Sequence, residues 1–98
     1  MKRSRDRRVL DHVKSQPCLI CGSLHGIDPH HVTSVGAGGK DTYDNVMPLC
    51  RRHHTLFHCR GLYDFIIEHP SVMQWLRQNN REDIISKFEF YMKCRREE

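Results

Sequence analysis

The sequence lacks long apolar runs. No segment approaches the roughly 20 consecutive apolar residues of a membrane-spanning helix, and the basic N-terminus lacks the apolar region of a signal peptide. Internal repeats and low-complexity segments are also missing. These absences favour a soluble, cytoplasmic protein with no membrane partner. A chain of 98 residues suggests a single domain, residues 1–98, whose small core would gain from a structural metal ion.

The sequence also has no excess of acidic residues. It carries 16 Lys and Arg against 12 Asp and Glu, for a net charge of +4. Residues 1–16 hold six of these basic and two of these acidic residues (6 − 2 = +4), so the rest of the chain is neutral. A basic arm on a neutral domain suits a polyanion such as DNA, although a solvated basic tail fits the charge equally well. The candidate phosphate contacts are Arg3, Arg5, Arg7, Arg8, Lys40, Arg51 and Arg52.

The basic arm is predicted to be helical. Apolar residues recur at helical spacing over residues 5–15, Ser4 is a candidate N-cap, and Pro17 ends the pattern. The arginines fall in the first turns, where positive charge opposes the helix dipole. Their placement therefore does not serve helix stability, and it fits a surface that meets phosphate groups.

Residues 17–61 are predicted to form a hairpin followed by a helix. The first strand covers residues 27–32, and a short second strand covers residues 46–47 after a glycine-rich loop. Pro48 suits the first turn of the helix that follows, and Gly61 suits its C-terminal cap.

Residues 62–98 are predicted to be a helical C-terminal part. Ser71 is the candidate cap of one helix, and Asn79-Asn80 interrupts the pattern after it. A last amphipathic helix is predicted over residues 81–93. This part is most simply a set of helices that supports the preceding segment.

The five cysteines are an odd number, which argues against a complete set of disulfides. Cys18 and Cys21 form a Cys-x-x-Cys pair, a pattern that favours a metal or redox site in a reducing cytosol. A thioredoxin-like site would need a βαβ context, which the sequence does not show. Cys50 and His53 form a second pair with the same spacing, so the four residues make a Cys₃His set typical of structural zinc. In the alternative, the cysteines are small buried apolar groups, as is expected for Cys59 and Cys94.

A second cluster consists of histidines that this zinc site does not use. His54 and His58 are four residues apart and would share one face of a helix, while His30 and His31 are adjacent in the first strand. Imidazoles from a strand and a helix can hold one divalent ion and leave positions open for water and phosphate. A histidine beside the ion could accept a proton from an attacking water. With Asn45 nearby, these residues are the parts of a metal-assisted phosphodiesterase.

These motifs, taken together and in this order, resemble the HNH endonucleases. The closest likeness is to their zinc-containing branch, which includes small phage and bacterial nucleases. The resemblance covers residues 18–58 and implies an α+β fold with a ββα-metal core. The usual fourth zinc ligand of that branch is cysteine, and His53 takes its place here. The resemblance is carried by Asp28-Pro29-His30-His31-Val32, the glycine-rich loop, Asn45-Val46-Met47-Pro48-Leu49-Cys50 and His53-His54.

The resemblance also implies roles for individual residues. His31 corresponds to the general base, and Asn45 to the residue that braces the loop and helps to orient that base. His30, His54 and His58 correspond to ligands of a catalytic ion, either Mg²⁺ or another divalent ion such as Mn²⁺ or Ni²⁺. The implied reaction is hydrolysis of DNA phosphodiester bonds, by nicking or cutting.

Two other functions remain open at the level of sequence. A non-catalytic zinc module that binds nucleic acid would explain the Cys₃His set and the basic arm, but not the second histidine cluster. A protein-interaction domain would use the apolar C-terminal part. The sequence is compatible with a monomer or a homodimer, and it leaves open the type of DNA strand and any target sequence.

Overall fold

The structure, a computed structural model, describes residues 5–96. Within that range the chain forms a two-stranded antiparallel sheet and five α-helices, so the predicted α+β class is confirmed. A single 3₁₀ turn, Val35–Ala37, lies between the strands. The elements are α1 (Arg7–Lys14), β1 (Ile27–His31), β2 (Val46–Cys50), α2 (Arg51–Arg60), α3 (Leu62–Glu68), α4 (Pro70–Gln78) and α5 (Glu82–Arg96).

The hairpin is longer than the sequence indicated. Strand β2 runs to Cys50, so the prediction that Pro48 begins the helix is wrong; Pro48 faces Pro29 across the sheet. Proline has no N–H to donate to a neighbouring strand. Two opposed prolines therefore fit a non-hydrogen-bonded pair of an antiparallel sheet, in which the facing residues exchange no N–H···O bonds. On the outer side of β2, the Leu19 amide donates to the Pro48 carbonyl at 2.9 Å. This bond fixes the Cys-x-x-Cys turn against the strand that ends in Cys50.

Helix α1 starts two residues later than predicted. Its N-cap is Asp6, whose carboxylate accepts hydrogen bonds from the amides of Arg8 and Val9. Such a cap satisfies amides that have no partner within the helix. The predicted cap, Ser4, lies outside the described residues. The apolar face of the helix packs on the sheet in a small cluster made of Val9, Leu10, Val13 and Val46.

The C-terminal part is helical, as predicted, but its boundaries differ. Helix α4 begins at Pro70 itself, so the prediction that Ser71 caps it is wrong; the fixed φ of proline suits a first helical position. The helical conformation is interrupted between α4 and α5, as predicted, and Asn80 has a φ of 56° there. None of the helices in residues 5–96 is both long and apolar enough to cross a membrane. The core joins the sheet to these helices through Met47, Leu49, Phe65, Val72, Leu76, Ile84 and Ile85.

Candidate metal centres

The Cys₃His set comes together at the junction of the Cys-x-x-Cys turn, the end of β2 and the first turn of α2. The ligand atoms of Cys18, Cys21, Cys50 and His53 all lie within 4.8 Å of one another. The His53 Nδ1 atom is 3.7 Å from Cys18 Sγ and 3.2 Å from Cys50 Sγ, and Cys21 Sγ is 3.8 Å from Cys50 Sγ. A tetrahedral zinc ion with Zn–S bonds of about 2.3 Å separates two thiolates by roughly 3.7 Å. The four residues can therefore hold a metal ion such as zinc.

The pKa shifts in this cluster differ from one ligand to the next. Burial alone would raise the pKa of the Cys18 thiol, but amides of Cys50, Cys21 and Ile20 donate hydrogen bonds to its sulfur and together lower that pKa. The pKa of Cys50 is raised, first by burial and then by the neighbouring sulfurs of Cys18 and Cys21. Burial also lowers the pKa of His53, which keeps its imidazole neutral. Crowded sulfurs beside a neutral imidazole are the arrangement that a bound dication stabilises.

The second cluster lies between β1 and the outer turns of α2. The Nε2 atoms of His54 and His58 are 3.1 Å apart. A ring nitrogen of His30 lies within 4.8 Å of the ligand nitrogen of His54 and of that of His58. His30 is buried, His54 is half-buried and His58 is exposed, so one side of the cluster is open to solvent. Three imidazoles in this arrangement can hold a cation that remains accessible from outside. Helix α2 thus supplies ligands to both clusters.

His30 is the most constrained member of the second cluster. Its ring packs against Phe57 at a centroid distance of 4.1 Å, and its buried Nε2 atom has no hydrogen-bond partner. Burial, followed by the nearby His54, His58 and His31, lowers its pKa to about 3. A neutral imidazole with an unpartnered nitrogen is costly in a protein interior. Metal ligation would satisfy that nitrogen.

Asp28 orients His54, a role that the sequence interpretation missed. An oxygen of Asp28 lies 3.1 Å from His54 Nδ1, and its other oxygen lies 3.4 Å from the Arg51 guanidinium. Although burial alone would raise the pKa of Asp28, the hydrogen bonds from His54 and Arg51 lower it. The carboxylate therefore accepts the Nδ1 proton of His54 and leaves Nε2 directed toward His58. The sequence signal for this role was the alternation of side chains along a strand. Asp28 and His30 are two residues apart and therefore lie on the same face of β1.

His31 lies on the other side of β1 from His30. Its Nε2 atom is 2.7 Å from Oδ1 of Asp41, a buried residue of the loop between the strands. The second oxygen of Asp41 accepts a hydrogen bond from the Asp6 amide at 3.0 Å. The adjacent histidines therefore diverge, and the sequence interpretation missed the partner of the second one.

Comparisons with known proteins place this chain in a family. The family model described as "Protein of unknown function (DUF968)" matches residues 1–81 of the 98-residue chain. The chain belongs to the DUF968 family. It is 47% identical over 49 residues to a protein of Escherichia coli (strain K12) named "Uncharacterized protein YdfU", a match that covers 47% of this chain and 14% of the relative. The match thus covers only about a seventh of that relative's length, and no solved structure matches the chain significantly.

Asn45 braces the loop between the strands of this DUF968 chain. It is buried, and its Oδ1 atom accepts from the Thr33 amide while its Nδ2 atom donates to the carbonyls of Thr33 and Lys40. Gly39 packs against the Thr33 carbonyl so closely that a Cβ atom there would clash with it. Arg81, a third residue that the sequence interpretation missed, donates to Asn45 Oδ1 at 2.9 Å and to Thr33 Oγ1 at 2.8 Å. The start of α5 therefore holds the loop in place.

The candidate phosphate contacts of the DUF968 chain are distributed over the start of α1, the loop between the strands and α2. Arg5, Arg7 and Arg8 are exposed at the start of α1, Lys40 is exposed in the loop, and Arg52 is exposed on α2. Arg51 is exposed as well, but it pairs with Asp28. The remaining candidate, Arg3, lies outside the described residues.

Proposed function

We propose that this domain is a metal-dependent endonuclease of the HNH type that hydrolyses DNA phosphodiester bonds. The observation that supports it most directly is the solvent-open cluster of His30, His54 and His58, in which a buried imidazole nitrogen has no protein partner. A structural zinc site does not require such a cluster, because the Cys₃His set already has four ligands. The base is assigned to His31 from the resemblance; it follows His30 in β1, and its ring lies on the side of the strand that faces the loop.

The donor set bears on which ion the second cluster takes. All three ligands are imidazoles, which suit Zn²⁺ and Ni²⁺ better than Mn²⁺ or Mg²⁺, two ions that prefer oxygen ligands. Among the ions expected from the resemblance, we therefore propose Ni²⁺ ahead of Mn²⁺ and Mg²⁺. When bound, such an ion polarises a phosphate oxygen and stabilises charge on the leaving oxygen.

The protein's own residues carry the remaining roles. His31 accepts a proton from a water whose oxygen bonds to phosphorus, and the bond from phosphorus to the 3′-oxygen breaks. The leaving oxygen takes a proton from solvent, so the products carry 3′-hydroxyl and 5′-phosphate ends. Asn45 keeps the loop, and with it the surroundings of His31, in one conformation. The exposed arginines of α1 contribute contacts to the DNA backbone that do not depend on sequence.

The test is nicking of a supercoiled plasmid by wild type and His31→Ala in Mn²⁺, Ni²⁺, Mg²⁺ and EDTA. We expect wild type to relax the plasmid with a transition metal, and His31→Ala to lose roughly 10²- to 10⁴-fold in rate because the general base is gone. His25→Ala is the matched control, since His25 is exposed and belongs to neither cluster. Zinc content and DNA binding are measured for every variant.

The alternative is a zinc-containing module that binds nucleic acid without cutting it. The Cys₃His set and the basic start of α1 are common to both proposals. If wild type binds DNA but no metal produces relaxed plasmid, the nuclease proposal is wrong and the binding module replaces it.

A further inference from the structure

The buried carboxylate of Asp41 faces His31 and has no role in the proposed function as stated above. The Asp41 side chain is 1% exposed, whereas that of His31 is 17% exposed. Their separation of 2.7 Å, from Nε2 to Oδ1, is in the range of charge-assisted hydrogen bonds. A buried carboxylate this close to a more exposed imidazole holds the ring from its inner side.

Asp41 is itself held in place from a second direction. Its Oδ2 atom accepts a hydrogen bond from the backbone amide of Asp6, the residue that caps α1. The loop on which it lies is closed by the hydrogen bonds of Asn45 and Arg81 described above. The carboxylate can therefore not turn away from His31 without breaking contacts on two elements.

We propose that Asp41 is a positioning residue that fixes the orientation and the tautomer of His31. In this pairing the Nε2–H of His31 donates to Asp41, and the basic lone pair lies on Nδ1. When Nδ1 accepts the proton of the attacking water, the neighbouring carboxylate stabilises the imidazolium that results. The same division of labour operates in carboxylate–histidine pairs of serine hydrolases, where an asparagine substitution produces the wrong tautomer. This inference rests on the proposed function, because it assigns His31 as the base.

A purely structural role for Asp41 is the competing explanation, since the residue also ties the loop to α1. The two roles predict different behaviour in a double-mutant cycle. A residue that acts through His31 has nothing left to do once His31 is removed, whereas a structural residue adds its own loss to that of His31→Ala.

The experiment compares wild type, Asp41→Asn, His31→Ala and the double variant in single-turnover nicking with Mn²⁺. We expect Asp41→Asn to lower the single-turnover rate constant by roughly 10- to 10³-fold, with DNA affinity and zinc content unchanged. The double variant should be no slower than His31→Ala alone. Asp44→Asn is the matched control, because Asp44 is an exposed aspartate of the same loop and its carboxylate does not contact His31. It should cleave at the wild-type rate.

A spectroscopic measurement separates this inference from the proposed function. Nitrogen NMR of the imidazoles should show His31 protonated at Nε2 in wild type and at Nδ1 in Asp41→Asn. A wild-type rate for Asp41→Asn, a further loss in the double variant, or an unchanged His31 tautomer would each overturn the positioning role. If wild type cleaves no DNA, the proposed function fails by itself, and the tautomer alone then decides whether Asp41 fixes the ring.

Discussion

Two consecutive histidines of β1 have the same side chain and opposite surroundings. His30 faces α2, where burial and two other imidazoles keep it neutral. His31 faces the loop, where Asp41 stands 2.7 Å from its ring. The alternation of a strand is sufficient to separate them. One imidazole thereby joins a cluster that could hold a cation, and the other makes a hydrogen bond with a buried carboxylate.

At the scale of single residues, we predict that Asp28 affects the metal affinity of the histidine cluster. Asp28→Asn should weaken binding of a transition metal at the histidine cluster by about 10- to 100-fold, because the carboxylate that orients His54 contributes to ligand geometry and basicity. The measurement is calorimetric titration of Mn²⁺ or Ni²⁺ into protein that retains its zinc. Asp64→Asn, an exposed aspartate of α3, is the control. An affinity equal to that of wild type would show that the Asp28 contact does not serve the metal.

At the scale of elements, the loop between the strands is held from both ends of the chain. Asp41 joins it to the start of α1, and Arg81 joins it to the start of α5. The hairpin alone would leave this 14-residue connection, residues 32–45, with few constraints. Helices distant in sequence therefore decide the conformation of the loop beside His31.

Arg81 is the residue to substitute in order to test this arrangement. Arg81→Ala should lower the free energy of unfolding by about 2–3 kcal/mol, because it removes hydrogen bonds to Asn45 Oδ1, Thr33 Oγ1 and the Asp44 carbonyl, each worth about 1 kcal/mol. Urea unfolding followed by circular dichroism measures the change. Arg77→Ala, an exposed arginine of α4, should change stability by less than about 0.5 kcal/mol. Equal losses for the two variants would contradict a specific role for Arg81.

The elements that the sequence predicted well are those with local signals. Apolar residues at helical spacing, the break at Asn79-Asn80 and the cap at Gly61 all depend on near neighbours. Two of the boundaries that differ from the prediction involve proline, at Pro48 and Pro70. Proline suits a helix start and an edge strand equally well, and only the pairing of Pro48 with Pro29 selects the strand.

In the candidate sites, too, the sequence predicted the features with local patterns and missed those that depend on residues distant in sequence. The ligand sets were visible because Cys-x-x-Cys, Cys-x-x-His and His-x-x-x-His are local patterns, and the structure brings each set together. Their partners were not visible, because Asp28 meets His54 across 26 residues and Arg81 meets Asn45 across 36. Those contacts depend on how the hairpin and the helices pack, which no local spacing encodes.

At the scale of the whole molecule, the Cys₃His set lies within the core that joins the two halves of the chain. Cys18 and Cys50 belong to the same buried cluster as Phe65, Leu76 and Ile85 of the C-terminal helices. A change in the Cys₃His set should therefore alter the packing of α3, α4 and α5. The N-terminal and C-terminal parts should unfold together, as is usual for a single small domain.

Zinc removal is the prediction that follows. Structural zinc in small domains contributes about 10 kcal/mol or more to folding at neutral pH, whereas the net stability of a domain is about 5–15 kcal/mol. Loss of the ion should therefore unfold much of the chain, including the helices after residue 61 that donate no ligand. A strong chelator or Cys18→Ser should abolish the cooperative thermal transition seen by circular dichroism. Added Zn²⁺ should restore the transition of chelator-treated wild type, but not that of Cys18→Ser. Cys59→Ser and Cys94→Ser are the controls, because both thiols are exposed and outside the cluster. A folded, cooperative Cys18→Ser protein would mean that core packing alone holds the domain together, and that Cys18 is a buried apolar group after all.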